Sequence, residues 1–300
     1  MRRGLNARQA GISKTAIKTA LGRNLDEKAI MDLLYGDINA LVENKFGSGE
    51  GKQYWATLGK RYVQVNEARF ASEFFLRNNL PLQSHTGLIL TGADPQRACL
   101  PWAMFGLAER FIGYEIDWKT MYKARYLIPE TERRIKEAIS HIRSDGEAVS
   151  KNLELAILEG DCLDDPGSFT RRGKLIEMAP YSVMDLDFCN NQLRFEKQQE
   201  RIIDLIKRNS PDEGLFILRT TLHVGRIGNS KKEIEKQIIK FEDRLRKASF
   251  REKAKNRNQY QSNLPMLSLI WILEKEKKDE NTDTVEQGNP STNSPVCMDE

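Results

Sequence analysis

No stretch of this 300-residue chain approaches the run of apolar residues that a membrane-spanning helix needs, which is roughly 18 or more. Met1-Arg2-Arg3-Gly4 is not followed by an apolar segment of the kind found in secretory leaders. Neither a membrane span nor a leader is therefore expected. Cysteine and histidine are scarce and scattered: Cys99, Cys162, Cys189 and Cys297, with His85, His141 and His223. No zinc-ligand spacing or disulfide framework can be drawn from them, so no bound metal is expected and the expected setting is a reducing, cytoplasmic one. With 39% hydrophobic and 30% charged residues, the chain has enough apolar material for one sizeable domain core plus an appendage.

The stretch that organises the chain runs from Gly87 to Asp117. Gly87-Leu88-Ile89-Leu90 is an apolar strand running into Thr91-Gly92-Ala93-Asp94-Pro95, a turn marked by glycine and proline. Leu100 to Arg110 carries Leu100, Met104 and Leu107 at helical spacing, and Phe111 to Asp117 is a second strand ending in carboxylates. Strand, turn, helix and strand of this length form a right-handed crossover with parallel strands. Ligands of such sheets sit at the carboxyl ends of the strands, where an acid about 20 residues past the glycine turn can accept both ribose hydroxyls. Glu115 and Asp117 stand at that distance.

These residues resemble the opening motifs of the class I S-adenosylmethionine-dependent methyltransferases, which have a Rossmann-like sheet. The turn has one glycine where most members have two or three, a departure that suits a cofactor without phosphate better than a dinucleotide. The resemblance implies S-adenosylmethionine as cofactor, bound by Thr91, Gly92, Ala93 and Asp94, with Glu115 or Asp117 on the ribose. It extends to a third strand, Leu153 to Leu158, followed by Glu159-Gly160-Asp161, where Asp161 matches the acid that accepts from the adenine amino group. Read without the resemblance, Gly160-Asp161 is equally well a plain turn.

Tyr181-Ser182-Val183-Met184-Asp185-Leu186-Asp187-Phe188-Cys189-Asn190-Asn191 runs from an apolar strand into carboxylates, an aromatic and amides. It is similar to the fourth methyltransferase motif, which in amino-methylating nucleic-acid enzymes is Asp or Asn, two prolines and an aromatic. Both prolines are absent here. Asp185, Asp187, Phe188 and Asn190 are the candidate catalytic residues. Asp187 is favoured to face the methyl donor, with Phe188 stacking on a base and Asp185 bracing the neighbouring turn. Cys189 reads as a small packing residue rather than a nucleophile.

Glu196 to Arg208 reads as a helix, Gly214 to Thr221 as a fifth strand and Pro265 to Leu273 as a late one, with Asn258-Gln259-Tyr260-Gln261 as the nearest antiparallel partner. Lys231 to Arg257 reads as one long basic helix. It holds eleven lysines and arginines against five acids, a surplus of six where the whole chain carries +4. Such a helix is either a phosphate-contacting face, through Arg244, Arg246, Lys247, Arg251 and Lys253, or a solvated one. At the other end, Leu5 to Leu21 resembles a helix-turn-helix in which Lys14 and Lys18 face a groove or phosphates. Asp26 to Glu43 is a further helix, and the glycine-serine loop after Phe46 marks a boundary. Two lead-in helices follow, Tyr54 to Val65 and Asn66 to Asn78.

The expected organisation is an N-terminal helical region over 1–46, a mostly parallel α/β methyltransferase-like domain over 54–274 and a polar disordered tail over 275–300. The expected function is methyl transfer to nucleic acid, RNA or DNA. The alternative is a catalytically silent methyltransferase fold that binds nucleic acid or acts as a regulatory or interaction protein.

Overall fold

A computed structural model describes residues 58–82, 84–92, 95–142, 153–190, 192–224, 231–261 and 265–276. The expected N-terminal helices with Lys14 and Lys18, the glycine-serine boundary, Ala93, Asp94 and the tail beyond residue 276 lie outside the described residues.

Nine strands and six helices are described: α1 (Leu58–Arg77), β1 (Thr86–Leu90), α2 (Pro95–Met104), β2 (Arg110–Glu115), α3 (Trp118–Tyr126), α4 (Ile128–Ile142), β3 (Glu154–Glu159), β4 (Ser168–Arg171), β5 (Lys174–Glu177), β6 (Val183–Asn190), α5 (Gln192–Asn209), β7 (Leu215–His223), α6 (Lys231–Lys247), β8 (Phe250–Gln261) and β9 (Pro265–Lys275). Seven strands form one sheet in the order β3-β2-β1-β6-β7-β9-β8, and β4 and β5 form a separate hairpin. β1, β2, β3, β6 and β7 run parallel, while β9 runs antiparallel to both its neighbours. This parallel sheet closed by an antiparallel pair is the class I methyltransferase-like, Rossmann-like arrangement.

The strands are apolar on both faces because helices cover both, as a parallel sheet requires. One core gathers Val65, Ala68 and Phe75 of α1, Trp102 of α2 and Ile135 of α4 on Val183, Ile217 and Ile272. The other packs Ile203 and Ile206 of α5 and Ile238 and Phe241 of α6 on Met184, Leu218 and Trp271. On α6 the buried Ile234, Ile238, Phe241 and Leu245 recur at three- and four-residue spacing, so one stripe faces the sheet. Each such side chain contributes about 1.5–3 kcal/mol on burial.

Four boundaries differ from the sequence expectation, each for a local reason. The two lead-in helices are one, α1, because nothing between Val65 and Asn66 breaks the backbone ladder. α2 begins at Pro95 and ends at Met104 rather than spanning Leu100 to Arg110. Proline suits a helix's first position, and Gly106 (φ 70) closes it: the Gly106 amide donates to Ala103 O at 3.0 Å and the Leu107 amide to Trp102 O at 2.9 Å. The basic segment is a helix only to Lys247. Ser249 adopts φ 64, and from Phe250 the chain becomes edge strand β8, paired with β9 from Phe250↔Lys275 to Gln261↔Pro265. Arg251 and Lys253 are thus strand residues, a common guard on an exposed sheet edge. The hairpin β4–β5, unforeseen, turns at Arg172 (φ 51) and Gly173 (φ 75), the paired left-handed residues of a tight two-residue hairpin turn.

Candidate functional site

The carboxyl ends of β1, β2 and β3 lie side by side at one edge of the sheet, since Leu90 pairs with Tyr114 and Glu115 with Glu159. Thr91 leaves β1 buried, its hydroxyl donating to the Tyr114 carbonyl at 3.5 Å. Gly113 makes this possible: a Cβ there would collide with Thr91 Cγ2. Gly92 adopts φ 51, and a Cβ built on it meets nothing within 4 Å, so the backbone turns over open space. Glu115 is the last residue of β2, and its Oε1 accepts the Asp117 amide at 3.0 Å. Asp117 caps α3, accepting the Thr120 amide at 3.0 Å and the Thr120 hydroxyl at 2.6 Å. Those two bonds hold its pKa below the usual carboxylate value. Asp161 caps the short turn after β3, with its Oδ1 accepting the Leu163 amide at 3.0 Å and its Oδ2 3.0 Å from Arg201 of α5.

The next strand in the sheet carries the acidic motif, and here the chain builds a buried ionic network. Asp185 is buried, accepting from Trp102 Nε1 at 3.0 Å and from Arg219 Nη1 of β7 at 2.6 Å. Asp187, two residues further out, pairs with Lys60 of α1 at 2.6 Å, accepts the Thr221 hydroxyl, and lies 3.6 Å from Arg219. Arg219 also donates through Nε to Glu67 of α1 at 2.5 Å. Glu67 in turn accepts from Ser268 of β9 and Asn258 of β8, both at 3.0 Å. The network therefore fastens α1 to four strands.

Three carboxylates here face two cations, and their titration separates accordingly. Burial raises the pKa of Glu67 and of Asp185 despite Arg219. Burial also opposes ionisation of Asp187, but Lys60, Arg219 and the Thr221 hydroxyl outweigh it and its pKa is lowered. Arg219 loses by burial and gains more from Asp185, Glu67 and Asp187, so it stays charged. Asp187 is thus held as the carboxylate at the outer end of β6. Pairing with β7 shifts register between Leu186 and Asn190, a bulge that re-aims the strand end. Phe188 is half-buried against the second core, and Asn190 pairs through its backbone with Leu222.

Glu67, Trp102, Arg219 and Ser268 were not singled out from the sequence. Two signals were there to be read. Arg219 is the one charged residue in the strand segment Leu215 to Leu222, and Glu67 stands at the same four-residue spacing as Val63 and Ala71, both buried. A second missed acid, Asp165, is fully buried and accepts from the hydroxyls of Tyr114 at 2.6 Å and Tyr181 at 2.7 Å and from Asn209 at 3.1 Å. It ties β2, the segment leading into β6 and the end of α5 together.

The basic candidates are largely neutralised. Arg244 pairs with Glu200 at 2.9 Å, Arg246 with Asp243 at 2.5 Å and Lys253 with Glu274 at 2.6 Å. Lys247 and Arg251 are exposed, but the groove between α6 and β8, about 470 Å³, is lined by Glu242, Glu252 and Glu276 as well as Arg246, Arg251 and Lys255. Among the described residues no cluster of three or more His, Cys, Asp or Glu is arranged to hold a metal, and no helix is long and apolar enough to cross a membrane.

No protein-family model and no curated protein matches the sequence. Solved structures match it at low identity. An rRNA methylase from Streptococcus thermophilus is 13% identical, with 69% of this chain and 96% of that one covered and a TM-score of 0.40. Magnesium protoporphyrin IX methyltransferase from Synechocystis, with S-adenosylhomocysteine bound, is 13% identical over 78% and 98%, with a TM-score of 0.42. The N-terminal domain of human METTL16, also with S-adenosylhomocysteine, is 12% identical over 82% of each chain, with a TM-score of 0.39. These likenesses concern the fold and assign no activity to this chain.

Proposed function

We propose that the protein is an S-adenosylmethionine-dependent methyltransferase acting on nucleic acid, RNA or DNA. The observation that carries this reading is the alignment, along one edge of a class I methyltransferase-like sheet, of the open left-handed turn at Gly92, the acids at the end of β2 and the ionised Asp187 at the end of β6. The residues present suit the cofactor: the open turn at Gly92 would admit a methionine moiety, Glu115 would offer a carboxylate to the ribose hydroxyls, and Asp161 would accept from the adenine amino group. Asp117, already occupied in capping α3, serves better to orient Glu115 through its amide.

The cofactor supplies an electrophilic methyl group on a sulfonium, so the chain's residues need only place the nucleophile and offset charge. Asp187 would accept a hydrogen bond from the target amino group. A carboxylate with a lowered pKa does not store the proton at neutral pH. It orients the amine and stabilises the positive charge that grows on nitrogen, while the proton leaves to solvent. Phe188 follows it on the strand, and Asp185, bound to Trp102 and Arg219, positions the strand. Calorimetric titration with S-adenosylmethionine and S-adenosylhomocysteine tests the first half. Labelled methyl transfer to pools of RNA and DNA, followed by mass spectrometry of the nucleosides, tests the second and identifies the atom. Absence of cofactor binding at millimolar concentration refutes the reading.

One observation favours the silent alternative: Lys60 occupies Asp187 at 2.6 Å, and an enzyme must yield that oxygen to substrate. Nucleic-acid affinity without transfer to any pool, in wild type and in Lys60→Met alike, would support that alternative.

A further inference from the structure

The helix that follows the candidate ribose-binding acid carries a second feature that the methyl-transfer reading does not use. Four of the chain's exposed large hydrophobic residues fall together there: Ile116 (75% exposed), Trp118 (59%), Tyr122 (57%) and Tyr126 (40%). Trp118, Tyr122 and Tyr126 are spaced i, i+4 and i+8 on α3, so they stand on one face at about 5–6 Å intervals. The opposite face is accounted for: Met121 and Ala124 are buried in the first core. Aromatic rings in a row on the water side of a helix are costly to leave exposed, and the core has no need of them.

The same helix is rich in positive charge. Its sequence, Trp118 to Tyr126, contains Lys119, Lys123 and Arg125 and no acid. Lys119 Nζ lies 5.7 Å from the centre of the Trp118 ring, so a cation accompanies the first aromatic. A surface that alternates stacking rings with cations is complementary to a polyanion whose bases are accessible. In a duplex the base faces are stacked inside, whereas a single strand can splay its bases onto successive rings.

We infer that the Trp118-Tyr122-Tyr126 face of α3 is a docking platform for single-stranded nucleic acid, with the rings stacking on bases and Lys119 and Lys123 contacting phosphates. This rests on the nucleic-acid reading above and deepens it. α3 starts directly after Glu115, and β2 lies two strands from β6 in the sheet, about 10 Å across. A strand held along α3 therefore arrives at the edge that carries Asp187.

The test uses the full chain and fluorescence anisotropy with labelled oligouridylate and oligothymidylate of roughly twelve nucleotides, within the site sizes of such platforms, beside a duplex of the same length. Single strands are expected to bind in preference to the duplex. The double variant Trp118→Ala/Tyr122→Ala should lose about tenfold or more in affinity, and Trp118→Phe/Tyr122→Phe should stay within about threefold, because the stacking surface persists. Lys119→Gln/Lys123→Gln should flatten the log-log salt dependence by about 1.4, at roughly 0.7 per phosphate contact of a single strand. Melting curves and S-adenosylhomocysteine titrations check that each variant remains folded. Equal single-strand affinity in wild type and the alanine variant overturns the platform while the nucleic-acid reading stands. A wild type that binds neither single strand nor duplex overturns both. Self-association of wild type that disappears in the alanine variant, with no effect on oligonucleotide binding, assigns the face to a second copy of this chain and overturns the inference.

Discussion

Replacing Arg219 by methionine tests the ionic network directly. The guanidinium is fully buried and holds Glu67 and Asp185 at 2.5 and 2.6 Å, with Asp187 at 3.6 Å. Methionine keeps much of the volume but leaves Lys60 as the one cation among three carboxylates. Removing one partner of a buried ion pair costs about 3–5 kcal/mol, because the remaining charge is left uncompensated in a poorly polarisable site. At about 2–4 °C per kcal/mol for a chain of this size class, the melting temperature should fall by roughly 6–20 °C. The pH dependence has a definite sign. Glu67 and Asp185 already have raised pKa values, and losing Arg219 raises them further. A carboxyl raised in the folded state contributes its full share below the unfolded value near 4 and loses it as pH rises through the folded value. The deficit of Arg219→Met should therefore be larger at about pH 8 than at about pH 5, and adding Glu67→Gln should recover part of it. Differential scanning calorimetry at the two pH values measures this. A variant that melts within about 2 °C of wild type at both, or that suffers more in acid, would refute the account of a network held by one arginine.

Asp187→Ala should reduce labelled methyl transfer by about a hundredfold or more while S-adenosylhomocysteine affinity, read by calorimetry, changes little. Lys60→Met removes the main cation from Asp187, whose lowered pKa now contributes stability above the unfolded value that is lost only in strong acid; the acid-unfolding midpoint followed by circular dichroism should move to higher pH. Gly113→Ala should destabilise by about 1–3 kcal/mol through collision with Thr91 Cγ2, and Thr91→Ser in the same chain should restore most of the loss in denaturant titrations. Gly92→Val places a β-branched residue at φ 51 and fills the space over the turn, so cofactor affinity should fall at least tenfold in the same titration used for wild type.

Much of the fold could be read locally. Strands β1, β2 and β3 are short apolar runs, and β6 and β7 are largely apolar runs broken by Asp185, Asp187 and Arg219; such runs separated by helical periods lead to a parallel sheet with helices on both faces. The glycine turn, the acids ending β2 and the Asp-Leu-Asp-Phe end of β6 were legible for the same reason: at carboxyl ends of parallel strands, residue type and spacing are enough to place a candidate site. The hairpin partner was not. Phe250-Arg251-Glu252-Lys253-Ala254-Lys255 has the composition of a charged helix, and only the ladder to β9 draws it into an extended edge strand. Strand propensity at an edge is set by the neighbour more than by the residues.

What the chain determines by itself is therefore the succession of elements and the edge at which acids accumulate. What the tertiary structure alone decides is the state of those acids. Asp185 and Asp187 differ by two positions and share one face of β6, yet one is raised and the other lowered. At Asp185 burial outweighs Arg219 and Trp102, 34 and 83 residues away, whereas at Asp187 the added charge of Lys60, 127 residues away, and the Thr221 hydroxyl tip the balance the other way. Ionisation in a buried site follows the balance of desolvation against nearby charge, and both terms depend on which distant side chains the fold brings within a few ångströms.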